Sequence, residues 1–173
     1  MRVPALALLL ALVTGSSGCG YHFAPVRAGG APAGTIAVAS LENDSYEFGV
    51  ERQVADAIQR AFLRRGGLAV VDDPEAADLV VRGSVQPLQT SRRSFSSVRL
   101  VLEYEVTLAL ALEVARRDGT VLSLPGQLLS RTEIYQASAD VEVTRKNRRE
   151  ALRRAAEVLA DRLHDALLEV VRR

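Results

Sequence analysis

An α+β fold follows from three features of this 173-residue chain. A short β-rich run leads straight into an amphipathic helix, an unbroken apolar/polar alternation fills the middle, and a longer helical pattern closes the chain. Together they predict a two-layer sandwich: a mostly antiparallel sheet of four to five strands with two helices packed on one face.

Residues 1–18 precede that fold. Met1 and Arg2 supply one positive charge, and residues 3–13 form an apolar run far short of the ~20 residues that span a hydrocarbon core, so the segment reads as the signal peptide of an exported chain. Cys19 follows the small residues Ser16, Ser17 and Gly18 and is the only cysteine. It has no partner for an internal disulfide, and its place at the end of a leader makes it the expected first mature residue, carrying S-diacylglycerol and an N-acyl chain such as palmitate. Ser16 stands where such signals usually carry leucine. An ordinary secretory leader would instead leave Cys19 as a free thiol. Two or more acyl chains, at about 0.8 kcal/mol per buried methylene, anchor a protein stably. Gly20, in place of an aspartate after the cysteine, points to the outer membrane, with the domain on its periplasmic side. Residues 19–34 are the lipidated N-terminus and a flexible tether, Ala/Gly/Pro-rich from residue 24, and residues 35–173 form a single domain.

Residues 35–41 are a short β-rich run, ended by the turn formers Glu42, Asn43, Asp44 and Ser45. From Val50 the period changes: Val50, Val54, Ala57, Ile58, Ala61 and Phe62 share one helical face, and Gly66-Gly67 ends the helix. Residues 68–71 and 78–88 are strands separated by a turn around Asp72, Asp73 and Pro74. Residues 89–97, rich in Ser, Thr and Arg, read as a loop. Then Val98, Leu100, Leu102, Tyr104, Val106, Leu108, Leu110, Leu112 and Val114 alternate without a slip, the mark of a strand covered on one face. Asp118-Gly119 is a hairpin turn. The returning strand, residues 121–135, is broken by Pro125-Gly126, which implies an edge position or a bulge beside the long strand. A helix from about Thr144 to the C-terminus carries Leu152, Ala155, Ala156, Leu159, Leu163, Ala166, Leu167 and Val170 on one stripe, with a Glu150–Arg154 pair outside.

With 22 basic against 21 acidic residues and no basic stripe interleaved with aromatics, a general nucleic-acid binder is excluded. The absence of Trp argues against stacking platforms for sugars or bases. No phosphate-cradling glycine loop and no zinc or His-x-x-x-His spacing occurs. His22 lies in the tether, and His164 reads as a surface histidine with no nucleophile placed to use it, so neither catalysis nor a metal or other cofactor is expected. Two basic clusters remain. Arg92 and Arg93 are adjacent guanidinium groups whose forks suit phosphate, although solubilising charge on a loop also explains them. Arg145, Lys146, Arg148, Arg149, Arg153 and Arg154 crowd the first turns of the last helix, where cations oppose its dipole. Asp140, Glu142 and Glu150 offset part of that charge; the rest is available to an anionic partner.

Cys19-Gly20-Tyr21-His22-Phe23, the Thr35-Ile36-Ala37-Val38 strand, the amphipathic helix, the Ala77-Asp78-Leu79-Val80-Val81 strand start and the long C-terminal helix together resemble the lipopolysaccharide-assembly lipoprotein family, LptE. The resemblance implies a non-enzymatic, lipid-anchored subunit of the outer membrane that plugs an LptD-like β-barrel translocon, binds lipopolysaccharide and supports folding of the barrel. Arg92, Arg93, Lys146, Arg149 and Arg153 are the expected contacts with glycolipid or barrel. A second class shares the early element order: lipoprotein activators of periplasmic enzymes and secretion-pore subunits, of the penicillin-binding-protein-activator and curli-secretion kind.

Overall fold

The computed structural model describes residues 32–95, 101–122, 124 and 129–171. Its elements are β1 (Thr35–Val38), β2 (Glu42–Asn43), α1 (Val50–Arg65), β3 (Ala69–Val70), β4 (Leu79–Val85), β5 (Gln89–Phe95), β6 (Val101–Arg116), β7 (Val121–Leu122), β8 (Ser130–Gln136) and α2 (Val141–Val171). Both helices and one sheet face share a single core, so the α+β sandwich stands.

The sheet has eight strands, more than the expected four to five, and is mostly antiparallel as read, with a parallel part built around β1. β1 lies parallel to β3 and β4, and β2 parallel to β4. The cause is α1: a helix between two strands brings the chain back in its original direction, so the strands it joins pair in parallel. The remaining pairings, β4, β5, β7 and β8 with β6, are antiparallel.

β6 is sixteen residues long and serves both halves of the sheet. Leu110–Arg116 pairs β4 and Val101–Thr107 pairs β5 on one side, while β7 and β8 line the other. Its alternation holds as read: Val106, Leu108, Leu110 and Val114 are buried beneath the helices. The expected start of this run, Val98 to Leu100, lies outside the described residues. Residues 89–97 were expected to be a loop, but 89–95 are strand β5. That strand escapes a periodicity reading because residues 89–93 are exposed and polar on both faces. Likewise Glu42 and Asn43 form β2 beside Ser84 and Val85, and the turn begins at Asp44. The Asp118-Gly119 hairpin turn is present, with Gly119 at φ 87° and Arg116 N–H donating to Thr120 O at 2.8 Å. The Pro125-Gly126 break lies outside the described residues.

α2 starts at Val141, three residues before the expected Thr144, because Asp140 Oδ1 accepts the Glu142 N–H at 2.8 Å and caps the helix. The expected Glu150–Arg154 pair is replaced. Arg153 bridges Glu150 and Glu157, and Arg154 reaches across to Glu133 on β8. His164, expected at the surface, is 2% exposed. Its Nε2 lies 3.0 Å from Gly66 O, its Nδ1 3.2 Å from Asp165 Oδ1, and its ring packs on Phe62. The carbonyl left open where α1 ends is enclosed when α2 packs over it, and an imidazole N–H satisfies it there. Among the described residues no helix is long and apolar enough to cross a membrane.

Two residues set the sheet's geometry and give the first tests. A Cβ on Gly83, in β4 at φ 141°, would stand 1.9 Å from Ala111 O on β6. Gly83→Ala is therefore expected to force the β4–β6 ladder apart and lower unfolding free energy by on the order of 2–3 kcal/mol in denaturant titrations. Asp78, at the start of β4, is pinned to β1: Oδ2 accepts the Thr35 N–H at 2.8 Å and its hydroxyl at 2.9 Å, and Arg117 lies 3.3 Å away. These hold the Asp78 carboxyl below its ordinary 3.8. A depressed carboxylate contributes stability that is full above the ordinary value and disappears as pH falls through the lower folded one. Asp78→Asn should therefore lower the melting temperature near neutrality and flatten its decline below pH 3.8.

Candidate functional site

Where β4 gives way to β5, one side chain joins three elements. Arg148, on the second turn of α2, places Nε 2.9 Å from Glu47 Oε2 and Nη1 3.3 Å from Thr90 Oγ1. Glu47 belongs to the loop between β2 and α1, and Thr90 to β5. The loop is braced from within as well. Asn43 Nδ2 donates to Glu47 O at 2.9 Å and to Glu51 Oε2 at 2.7 Å, while Asn43 Oδ1 accepts the Ser45 N–H and hydroxyl. On this fixed frame Tyr46 and Phe48 are 107% and 101% exposed. Two aromatic side chains held fully in water by a hydrogen-bonded loop have no role in the core and are a candidate contact surface.

The expected contact residues divide around this frame. Arg92 pairs in register with Tyr104, so it shares the helix-facing side of β5 with Thr90. Arg93 sits at a register shift and reaches Glu105 only at 3.8 Å. Lys146 and Arg149 are exposed on α2, and among the described residues neither they nor Arg92 enters an ion pair with an acidic side chain. Arg153 is held 2.9 Å from Glu150 and 2.7 Å from Glu157, and its hydrogen bond keeps the Glu150 carboxyl below its ordinary range. Val141 and Val143 are exposed, so the first turns of α2 run on past the core. The structure thus places Arg92 on the side of β5 that Arg148 reaches through Thr90, turns Arg93 toward Glu105 and ties Arg153 into its own helix.

Sequence reasoning missed Tyr46, Phe48 and the Arg148 clamp. A signal existed: two aromatics inside a turn-forming segment, belonging to neither flanking period. Cys19 and His22 lie outside the described residues. Asp73, expected in a turn, accepts the Glu75 N–H at 2.9 Å and so shapes it. Among the described residues no group of three His, Cys, Asp or Glu could hold a metal.

The family model of lipopolysaccharide-assembly LptE matches residues 33–167. No curated protein matches the sequence. Solved structures share the fold. Rare lipoprotein B from Shewanella oneidensis is similar at 17% identity and a TM-score of 0.50, over 78% of this chain and 95% of that one. A putative lipoprotein from Caulobacter crescentus gives 12% and 0.54, over 79% and 90%. The hypothetical protein CT253 from Chlamydia trachomatis gives 11% and 0.53, over 82% and 98%.

If Arg148 fixes the aromatic loop, Arg148→Ala should speed amide hydrogen exchange across residues 44–49 while that of β6 stays unchanged. The accompanying loss of stability should be about 1–2 kcal/mol, since the Glu47 carboxylate is left half-buried and unpaired.

Proposed function

This chain belongs to the lipopolysaccharide-assembly (LptE) family, and from that premise we propose that it acts as a non-enzymatic lipoprotein of the outer membrane. It is anchored on the periplasmic side through acylated Cys19 and serves as plug and assembly subunit of an LptD-like β-barrel translocon. The anionic headgroup of lipopolysaccharide meets the cations of β5 and α2, with Arg92, Arg93, Lys146, Arg149 and Arg153 as contacts. Arg153 is the weakest of these because two carboxylates already hold it.

The observation that carries the reading is one end of the domain where exposed cations, of which Arg92, Lys146 and Arg149 form no close ion pair among the described residues, share a frame with two fully exposed aromatics on a braced loop. Guanidinium groups suit phosphate, and apolar side chains suit the acyl part of an amphiphile. A small domain of near-neutral total charge also enters a polar lumen without strong self-repulsion.

Affinity purification of the acylated chain in detergent is expected to bring down an outer-membrane β-barrel, and mass spectrometry of the mature N-terminus should show the acyl groups on Cys19. Recovery of a soluble peptidoglycan synthase, or of a ring of identical subunits, would overturn the assignment. Reversing Arg92 and Arg93 to Glu should weaken lipopolysaccharide binding by roughly tenfold or more, with the thermal midpoint unchanged. An unaltered affinity removes those residues from the contact.

A further inference from the structure

The two long edges of the sheet are finished differently. β8 pairs β6 along one side, and its other side is met by α2: Asn147 Nδ2 donates to Gln136 O at 3.0 Å, Arg154 Nη2 to Ile134 O at 3.0 Å, and Arg162 Nη1 to Ser130 O at 3.3 Å. A strand arriving at that edge would find those carbonyls engaged. β5 has no such cover. It pairs β6 from Gln89–Thr107 to Phe95–Val101, residues 89–93 are exposed, and among the described residues no backbone group bonds to its other side.

That open side belongs to a column the sheet has already begun to fill. β4 carries β6 on one side and β1 and β2 on the other. β5 continues the line of β4 along β6, with Gln86 N–H donating to Ala109 O at the junction. The open edge of β5 therefore extends the line of β2. The chain leaves that line at Asp44, whose N–H donates to Val85 O at 2.9 Å, and the loop bearing Tyr46 and Phe48 stands at the point of departure.

We infer that the edge of β5 accepts an extended, acidic segment of another protein chain as an added strand, with Tyr46 and Phe48 receiving an apolar side chain at one end of it. Ladder hydrogen bonds supply affinity and flanking side chains the selectivity. Arg92 and Arg93 stand on this edge, one without an ion-pair partner among the described residues and one 3.8 Å from Glu105, and they select for acidic residues in the arriving strand. The same pair works against a second copy of this chain, because antiparallel pairing of β5 with itself sets arginine near arginine. The register shift at Arg93 limits regular pairing to Gln89–Arg92. This contact goes beyond glycolipid binding: the two share Arg92 and Arg93, but only an added strand protects the backbone.

The test uses the acylated full chain in detergent and a short capped peptide of alternating glutamate and valine. Binding is expected to slow hydrogen exchange of the amides in 89–92. Affinity should fall at least about tenfold in the Arg92→Glu, Arg93→Glu double variant, return with a lysine/valine peptide, and fall to an intermediate value with Arg92→Gln and Arg93→Gln. Phe48→Ala should weaken it several-fold on its own. The inference is overturned if the peptide binds while exchange in 89–95 is unchanged, if a glutamine/valine peptide binds equally well, or if lipopolysaccharide alone slows the same amides to the same extent.

Discussion

Every part of this domain depends on the unbroken length of β6. A strand of sixteen residues is long enough to take two partners in succession on each side, and that is how it is used: β4 then β5 along one side, β7 and β8 along the other. Its buried side chains at 106, 108, 110 and 114 are also the floor on which both helices rest. The parallel strands β1, β2 and β3 reach β6 only through β4, so the close approach of β4 to β6 at Gly83 transmits the whole β-α-β half of the fold to the rest. Each large apolar side chain buried in this single core is worth about 1.5–3 kcal/mol, and no second core of comparable size exists among the described residues to compensate for its loss.

Because one strand organises the sheet, the domain has two distinct ends. At one, β1 begins, Asp78 ties Thr35 to β4, and the Ala33 N–H already donates to Gly67 O. At the other, α2 overruns the core and Arg148 gathers a loop and a strand that lie far from it in sequence. A side chain serving this way removes freedom from the loop before any partner arrives. Tyr46 and Phe48 are then presented with less ordering left to do on binding, which is the physical advantage of a braced aromatic over a mobile one.

What could be read from the sequence followed from burial. The helix at Val50, its glycine stop, the alternation through Val114, the Asp118-Gly119 reversal and the long final helix each bury one face, and burial imposes a period. β5 buries neither face along residues 89–93, so no pattern betrayed it. The parallel half of the sheet was open to inference from strand-helix-strand order, but that clue lies in connectivity and not in any residue. His164 was misplaced because its neighbours Asp161 and Asp165 are polar; only the helix-end carbonyl at Gly66 explains why an imidazole turns inward. The basic clusters were visible as composition, whereas the pairing that separates Arg92, Lys146 and Arg149 from Arg153 is a tertiary fact.

That pairing settles what the total charge of +1 conceals. Arg64 and Arg65 are matched by Asp161 and Asp165 between the helices, Arg117 by Asp78, Arg131 and Arg154 by Glu133, and Arg145 by Glu142. Arg60 and Arg82 stand exposed elsewhere without such a match among the described residues, but Arg92, Lys146 and Arg149 belong to the end that carries the aromatic loop, and Arg52 opens the helix that follows it. Salt confines an exposed charge to a reach of about 8 Å, so cations act together only where the fold places them together. The proposed partner, both anionic and apolar, is therefore expected at this end.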